Sequence, residues 1–241
     1  MAKPQHDAED PRRAFLLKAL AAGLLGAGGI SGAAAQIFGK RPQRLPAGQS
    51  VYEVTGPVTV NGQAVSGTTR IAPGDRIETG AGAQLIFVVG PDAFILRAQS
   101  RLEIGGTGGP GAVVGLARLA TGALLSVFGK GTPKRVITPT STIGIRGTGL
   151  YVEARADLSY VCNCYGEIEI AAADDPSVTE RIVSRHHDAP RYVLKPGAAK
   201  RIHPAPFINH TDLELTLIES LVGRAPPFAL FDEGYGGARR Y

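Results

Sequence analysis

Short apolar segments recur along this chain at intervals of roughly 8–12 residues, the spacing typical of all-β sandwiches and barrels. Glycine and proline separate these segments: the 241 residues include 32 glycines and 17 prolines, against one methionine and no tryptophan. One stretch near the C-terminus instead follows a helical pattern. The sequence therefore predicts a mostly β fold, a sandwich, barrel or roll of many short strands with one C-terminal α-helix.

Two turn signals predict the first hairpins. Asn61-Gly62 separates the alternating segments 58–60 and 63–65, and Asn-Gly is the dipeptide preferred in two-residue hairpin turns. Gly90-Pro91-Asp92 separates residues 84–89 from residues 93–96 in the same way. Further strands are expected at residues 101–104, 113–119, 122–127, 149–154, 160–164, 179–184, 192–194 and 199–203, with 113–119 and 122–127 as one pair and a glycine loop at 105–111.

The stretch from residue 136 to residue 148 combines β-branched residues with a proline and two glycines. Because Pro139 cannot donate to a sheet, the composition predicts a strand that is kinked at this residue. Ile143 and Ile145 lie two residues apart and share one face of that strand. Gly144 and Gly147 bracket Arg146 and allow close backbone approach or a positive φ there.

Three motifs together resemble the FecR domain, a family of periplasmic, mostly β modules of Gram-negative bacteria. They are T-P-T-S-T-I-G-I-R-G-T at 138–148, G-D-R-I-E-T-G at 74–80 and Y-G-E-I-E-I at 165–170, and the resemblance covers residues 56–170. It implies an extracytoplasmic module that binds a periplasmic ligand or a protein partner without catalysing a reaction. Membrane-bound members carry a cytoplasmic helical segment, whereas 11 residues precede Arg12 here, so transmembrane signalling is not expected.

The first 35 residues resemble a twin-arginine export signal. Arg12 and Arg13 are followed by Phe15, and the Gly/Ala-rich apolar residues 19–34 lead to a small-residue cleavage site at Ala35. A transmembrane anchor is the alternative, but the glycines lower the hydrophobicity of this run. The mature protein is therefore expected in the periplasm, with membrane contact only through the signal before cleavage.

The remaining chain divides by composition. Residues 36–55 are predicted as a linker and first strand, 56–170 as the FecR-like β domain, 171–225 as a C-terminal β extension and helix, and 226–241 as a flexible tail. Thr211 and Glu214 form a predicted capping box at the start of the helix. Its apolar side is expected to comprise Leu213, Leu217, Ile218, Leu221 and Val222, with Gly223 at the end.

Both cysteines fall in one predicted strand. Cys162 and Cys164 are two residues apart, so both side chains project from the same face. A disulfide suits an oxidising periplasm, but the Cα separation in an extended strand is near the upper limit of ~6.8 Å. Two buried free thiols are the second interpretation. The third is a transition-metal site completed by His186 or His187 and by His210. Neighbouring strand residues face opposite ways, so only one of the adjacent histidines is expected to join it.

Catalytic motifs are missing from the sequence. It contains no G-x-S-x-G element, and the glycine loop does not match a phosphate-binding pattern. Basic residues are dispersed and aromatic residues are few, which disfavours nucleic-acid binding despite the net charge of +5. We therefore expect a non-enzymatic, exported FecR-like β module that binds a periplasmic ligand or protein. The alternative is a metal-binding or redox protein that uses Cys162, Cys164 and the nearby histidines.

Overall fold

The computed structural model of the protein describes residues 43–109 and 111–230. Fifteen strands, one α-helix and a short 3-10 helix are present in these residues. This architecture confirms the prediction of a mostly β fold with one C-terminal helix. The predicted signal segment 1–35 and residues 231–241 of the predicted tail lie outside the described residues. Within the described part of the chain, no helix combines the length and apolar character needed to cross a membrane.

The strands follow one another closely along the chain. Their bounds are β1 Val51–Thr55, β2 Val58–Val60, β3 Gln63–Ala64, β4 Arg76–Thr79, β5 Gln84–Val89, β6 Asp92–Leu96, β7 Arg101–Thr107, β8 Val113–Val127, β9 Lys134–Ile137, β10 Ser141–Ile145, β11 Gly149–Ala154, β12 Leu158–Ala172, β13 Thr179–Ser184, β14 Arg191–Leu194 and β15 Ile202–Pro204. Helix α1 spans Asp212–Leu221, and the 3-10 helix spans Pro227–Leu230.

Two long strands, β8 and β12, join two sheets. Sheet I has the order β1-β5-β6-β8-β11-β12-β14-β15, and sheet II has the order β3-β2-β4-β7-β8-β9-β10-β12-β13. Each long strand has 15 residues and contributes one half to each sheet. The ring β8-β11-β12-β10-β9 therefore closes on itself as a barrel, and the remaining strands extend it.

Three local expectations were wrong. Residues 113–127 form one strand instead of a pair, because Gly122, at φ 91°, bends the chain without reversing it. A Cβ at Gly122 would lie 2.0 Å from Ser100 Oγ, so only glycine allows this approach. The predicted kink at Pro139 is a full reversal, since β9 and β10 pair antiparallel around it. The predicted glycine loop at 105–111 is shorter, because β7 continues to Thr107.

Successive residues of a strand point to opposite faces of the sheet, and this alternation creates two apolar layers. The first layer lies between the sheets and includes Phe87, Phe94, Ile143 and Ile145, so the two isoleucines share a buried face as predicted. The second layer lies on the other face of sheet I, where α1 packs against β6 and β8. On β12, Val161 belongs to the first layer, whereas the flanking residues point to the second. The cysteines therefore face the C-terminal segment of the chain.

Helix α1 begins with the predicted capping box, in which Thr211 accepts from the Glu214 N–H and Glu214 accepts from the Thr211 N–H. Its buried face differs from the prediction, since Leu215 is buried and Leu213 only half-buried. Glu214 and Glu219 are also buried on this face. Arg97 pairs with Glu214, and Arg224 lies 2.6 Å from Glu219, so each buried carboxylate has a cationic partner. Leu217, Ile218 and Leu221 are buried as predicted.

Candidate metal centre

The two thiols lie on β12, on the face of sheet I that the C-terminal segment covers. Cys162 and Cys164 are both free, and both have 0% relative exposure. The Cys164 sulfur lies 3.7 Å from the carbonyl oxygen of Cys162. Strand geometry thus places both sulfurs side by side, as the Cys-x-Cys spacing predicted.

His187 reaches the thiols from the connection between β13 and β14. A backbone hydrogen bond from His187 N to Cys164 O, 3.0 Å long, holds this connection against β12. The Asp188 carboxylate accepts from the Arg185 N–H at 2.7 Å and fixes the turn, and His187 itself adopts φ 55°. Its Nδ1 consequently lies 3.5 Å from Cys162 Sγ, and its side chain is only 8% exposed.

His210 approaches from the opposite side, two residues before α1. Its Nε2 lies 3.1 Å from His187 Nδ1, and its other ring nitrogen, Nδ1, lies 2.7 Å from the carbonyl oxygen of Ile208. The ring stacks on Tyr151 with a centroid separation of 4.5 Å. These contacts fix both the position and the orientation of the imidazole in a buried environment.

Four potential ligand atoms therefore converge. One atom each from Cys162, Cys164, His187 and His210 lies within 4.8 Å of the other three. Two sulfurs and two imidazole nitrogens form the donor set of closed, tetrahedral zinc sites. The three segments that supply them are 23 or more residues apart in sequence, as shown by the His187–His210 contact.

The outward-facing ring nitrogens have acceptors as well. His187 Nε2 lies 3.0 Å from Asp212 Oδ1, and His210 Nδ1 faces the Ile208 carbonyl. Metal-ligating histidines almost always donate their second N–H to a carboxylate or a carbonyl, which fixes the tautomer that ligates through the other nitrogen. Nothing in the sequence indicated the contact of Asp212 with His187, since 25 residues separate the two.

His186 lies beside this cluster without joining it. Its Nε2 lies 2.9 Å from Asp212 Oδ2, and with His187 and Asp212 it forms a second, more exposed group of potential ligands. Only one of the two adjacent histidines thus reaches the thiols, as expected. The expected reason was wrong, because both histidines follow the end of β13 at Ser184 and lie outside a strand.

The ionisation of the cluster is strongly perturbed. Hydrogen bonds from Cys164 and His187 lower the pKa of Cys162 to about 3 despite its burial. Burial and the neighbouring Cys162 charge raise the pKa of Cys164. Burial alone would lower the pKa of His187, but its bonds to Asp212 and Cys162 outweigh this effect and raise the pKa to about 9. These shifts favour a thiolate at Cys162 beside an imidazolium at His187, with the proton of the thiol pair on Cys164.

Aromatic rings close the site. Phe207 contacts both imidazoles, with centroids 4.5 Å from His187 and 4.6 Å from His210, and Phe228 packs on His186 at 4.7 Å. A reactive thiol must be partly exposed to meet a substrate. Since neither sulfur is exposed, the arrangement suits enclosed binding of an ion better than a reaction at either thiol.

Comparison with known proteins gives a distant similarity in structure. No family model and no curated protein matches this chain. Two crystal structures of a "putative anti-sigma factor" from Parabacteroides distasonis ATCC 8503, at 1.65 and 2.50 Å resolution, resemble it with a TM-score of 0.43 and 16% sequence identity. The match covers 54% of this chain and 58% of that protein, so it spans little more than half of either.

Proposed function

We propose that this chain is an exported, non-catalytic β module that binds a divalent transition-metal ion, zinc by its donor set, through Cys162, Cys164, His187 and His210. The observation that carries the proposal is the convergence of these four ligand atoms within 4.8 Å. The acceptors behind both imidazoles support it, because they orient the free nitrogens toward the centre of the cluster.

Charge balance favours a divalent ion. Two thiolates carry a charge of about −2, and a net charge is costly in a site as buried as this one. A divalent cation with two neutral imidazoles neutralises the charge of the buried ligands, and the carboxylate of Asp212 behind His187 is 44% exposed to solvent. Sulfur and imidazole ligands further favour zinc over magnesium or calcium, which prefer oxygen ligands.

Export to the periplasm is part of the same proposal. It rests on Arg12, Arg13 and the apolar run that ends at Ala35. Twin-arginine export carries folded proteins, so the ion would be loaded in the cytoplasm and the thiols would be sealed before they reach an oxidising compartment. The FecR-like motifs support a role in binding a periplasmic protein or small ligand. Replacing Arg12 and Arg13 by lysine should stop periplasmic accumulation of a tagged protein, and unchanged accumulation would refute this assignment.

Metal binding is tested by cobalt substitution. Protein purified under reductant, stripped of metal and titrated with Co²⁺ should take up one equivalent and develop the intense visible absorption of a tetrahedral sulfur-ligated ion. Cys162→Ser, Cys164→Ser and His210→Gln should each lose this absorption or shift it to lower intensity. Metal analysis of protein expressed with its native N-terminus should find one equivalent of zinc.

Two histidine variants serve as matched controls. His186→Gln should keep the cobalt spectrum, because His186 contacts Asp212 and not the thiols. His203→Gln, in β15, where the ring faces the carbonyl oxygen of Lys200, should also keep the spectrum. If His186→Gln abolishes binding and Cys164→Ser does not, the ion occupies the His186–His187–Asp212 group and the proposed ligand set is wrong.

A further inference from the structure

Residues 206–212, which lead from β15 to the first residue of α1, cover the candidate metal centre and are called the clasp here. Just before the clasp, the Ala205 N–H donates to the carbonyl oxygen of Pro190 at 2.9 Å, and this is the last backbone–backbone hydrogen bond described between this region and sheet I. From residue 206 onward, the hydrogen bonds described between the clasp and sheet I involve side chains. The Tyr160 hydroxyl donates to Pro206 O at 3.0 Å and accepts from the Ile208 N–H at 3.3 Å.

Two clasp residues belong to the metal centre. His210 is a ligand in the proposed set, and Asp212 accepts from His187 at 3.0 Å. Asn209 adds a hydrogen bond to Glu153 on β11. The clasp is thus held at its N-terminal end by Tyr160, in its middle by the bond from Asn209 to Glu153, and at its C-terminal end by the metal centre. An ion that binds all four ligands must therefore stabilise the closed position of this segment.

Closure also controls access. Both sulfurs have no solvent exposure, and Phe207 of the clasp lies against both imidazoles. His210, the ligand that the clasp supplies, is itself only 3% exposed. Displacing the clasp removes one ligand and the aromatic cover together, while Cys162, Cys164 and His187 stay on the β body.

We infer that the bound metal locks the clasp and that the metal leaves through local opening of residues 206–212, with the β body still folded. This inference rests on the proposed metal binding. Segments attached through few contacts open independently of the global unfolding reaction. The released state exposes the thiols and the apolar face of sheet I around Tyr151 and Tyr160, so metal loss and surface exposure are coupled.

Hydrogen exchange provides the first test. Peptides covering residues 206–212 are compared in zinc-loaded protein and in protein stripped by a chelator under reductant. The clasp should exchange at least tenfold faster without metal, whereas peptides from β5 and β6 should be unchanged. Equal exchange of the clasp in both forms, or equal acceleration of β5 and β6, would overturn local opening.

A tyrosine variant tests the exit route without altering a ligand. Tyr160→Phe removes both hydrogen bonds to the clasp, so extraction of cobalt by excess EDTA should become about tenfold faster with an unchanged cobalt spectrum. Tyr192→Phe is the matched control, since its ring packs on Tyr160 at 5.7 Å from the adjacent strand. Its extraction rate should equal that of the wild type.

The outcomes separate the two proposals. If wild-type protein takes up no cobalt, the proposed function fails and the clasp inference falls with it. If cobalt binds but Tyr160→Phe and wild type release it at the same rate, metal binding stands and the exit route is wrong. Faster release from Tyr160→Phe alone, with metal-dependent protection of residues 206–212, supports the inference.

Discussion

Asp212 should tune the affinity of the metal centre although it is not proposed as a ligand. Its carboxylate accepts from His187 at 3.0 Å and from His186 at 2.9 Å, and the His187 bond fixes the tautomer that presents Nδ1 to the thiols. Burial opposes ionisation of Asp212, but the bonds from both histidines lower its pKa. The carboxylate is therefore ionised and makes the imidazole of His187 a stronger ligand.

The expected loss of metal affinity depends on what each substitution of Asp212 removes. Asp212→Asn keeps an acceptor oxygen and loses the charge, so metal affinity should fall about tenfold, or ~1.4 kcal/mol. Asp212→Ala loses both and should weaken binding about 100-fold, or ~2.7 kcal/mol. The side chain is 44% exposed, so water can partly replace the carboxylate and larger losses are not expected. Removing a first-turn negative charge also destabilises α1 by about 0.3–1 kcal/mol.

Cobalt titration in competition with a chelator measures these affinities. The visible spectrum should stay that of a tetrahedral sulfur-ligated ion in both variants, because the four ligands remain. Asp174→Asn is the control: it removes one negative charge from the β12–β13 turn, where Asp174 pairs with Arg201. If Asp212→Ala binds cobalt as tightly as Asp174→Asn, the carboxylate does not support His187 and this argument is refuted.

Three further predictions concern the helix, the core and pH. Leu217→Ala should lower the free energy of unfolding in urea by roughly 2–5 kcal/mol, because Leu217 lies on the buried face of α1 and is 3% exposed. Leu213 is half-buried, so Leu213→Ala should cost less, and equal losses would contradict the observed helix face. Lys134→Met should lower the free energy of unfolding by about 3–5 kcal/mol, because it leaves the buried Asp92 carboxylate without its cationic partner. The double variant with Asp92→Asn should recover most of that stability. Metal affinity should fall as pH falls, because metal binding displaces the protons of Cys164 and His187, whose pKa values are raised. Calorimetry of metal binding in buffers of different ionisation enthalpy should find that about two protons are released at neutral pH.

Local patterns explain most of the successful fold predictions. The Asn61-Gly62 turn, the alternation at Ile143 and Ile145, and the capping box at Thr211 each depend on residues that are neighbours in sequence. Backbone propensity and side-chain periodicity act over such short distances, so these features could be predicted without knowledge of the tertiary fold. The Cys-x-Cys spacing placed two sulfurs on one strand face for the same reason.

Long-range packing decided the remaining features. Nothing near Gly122 distinguishes a turn from a bent strand, since its close approach to Ser100 depends on the pairing of β7 with β8. The selection of His187 over His186 depends on the turn held by Asp188 and on the hydrogen bond from His187 N to Cys164 O, which joins residues 23 positions apart.

The candidate metal centre itself combines both kinds of information. The sequence alone determined which residue types could ligate a metal and that Cys162 and Cys164 are adjacent on one face. Only the tertiary structure brought His210 to His187 and placed Asp212 behind it. The physical reason is that these contacts join three segments that no local periodicity relates, and burial of the second apolar layer under α1 is what brings them together.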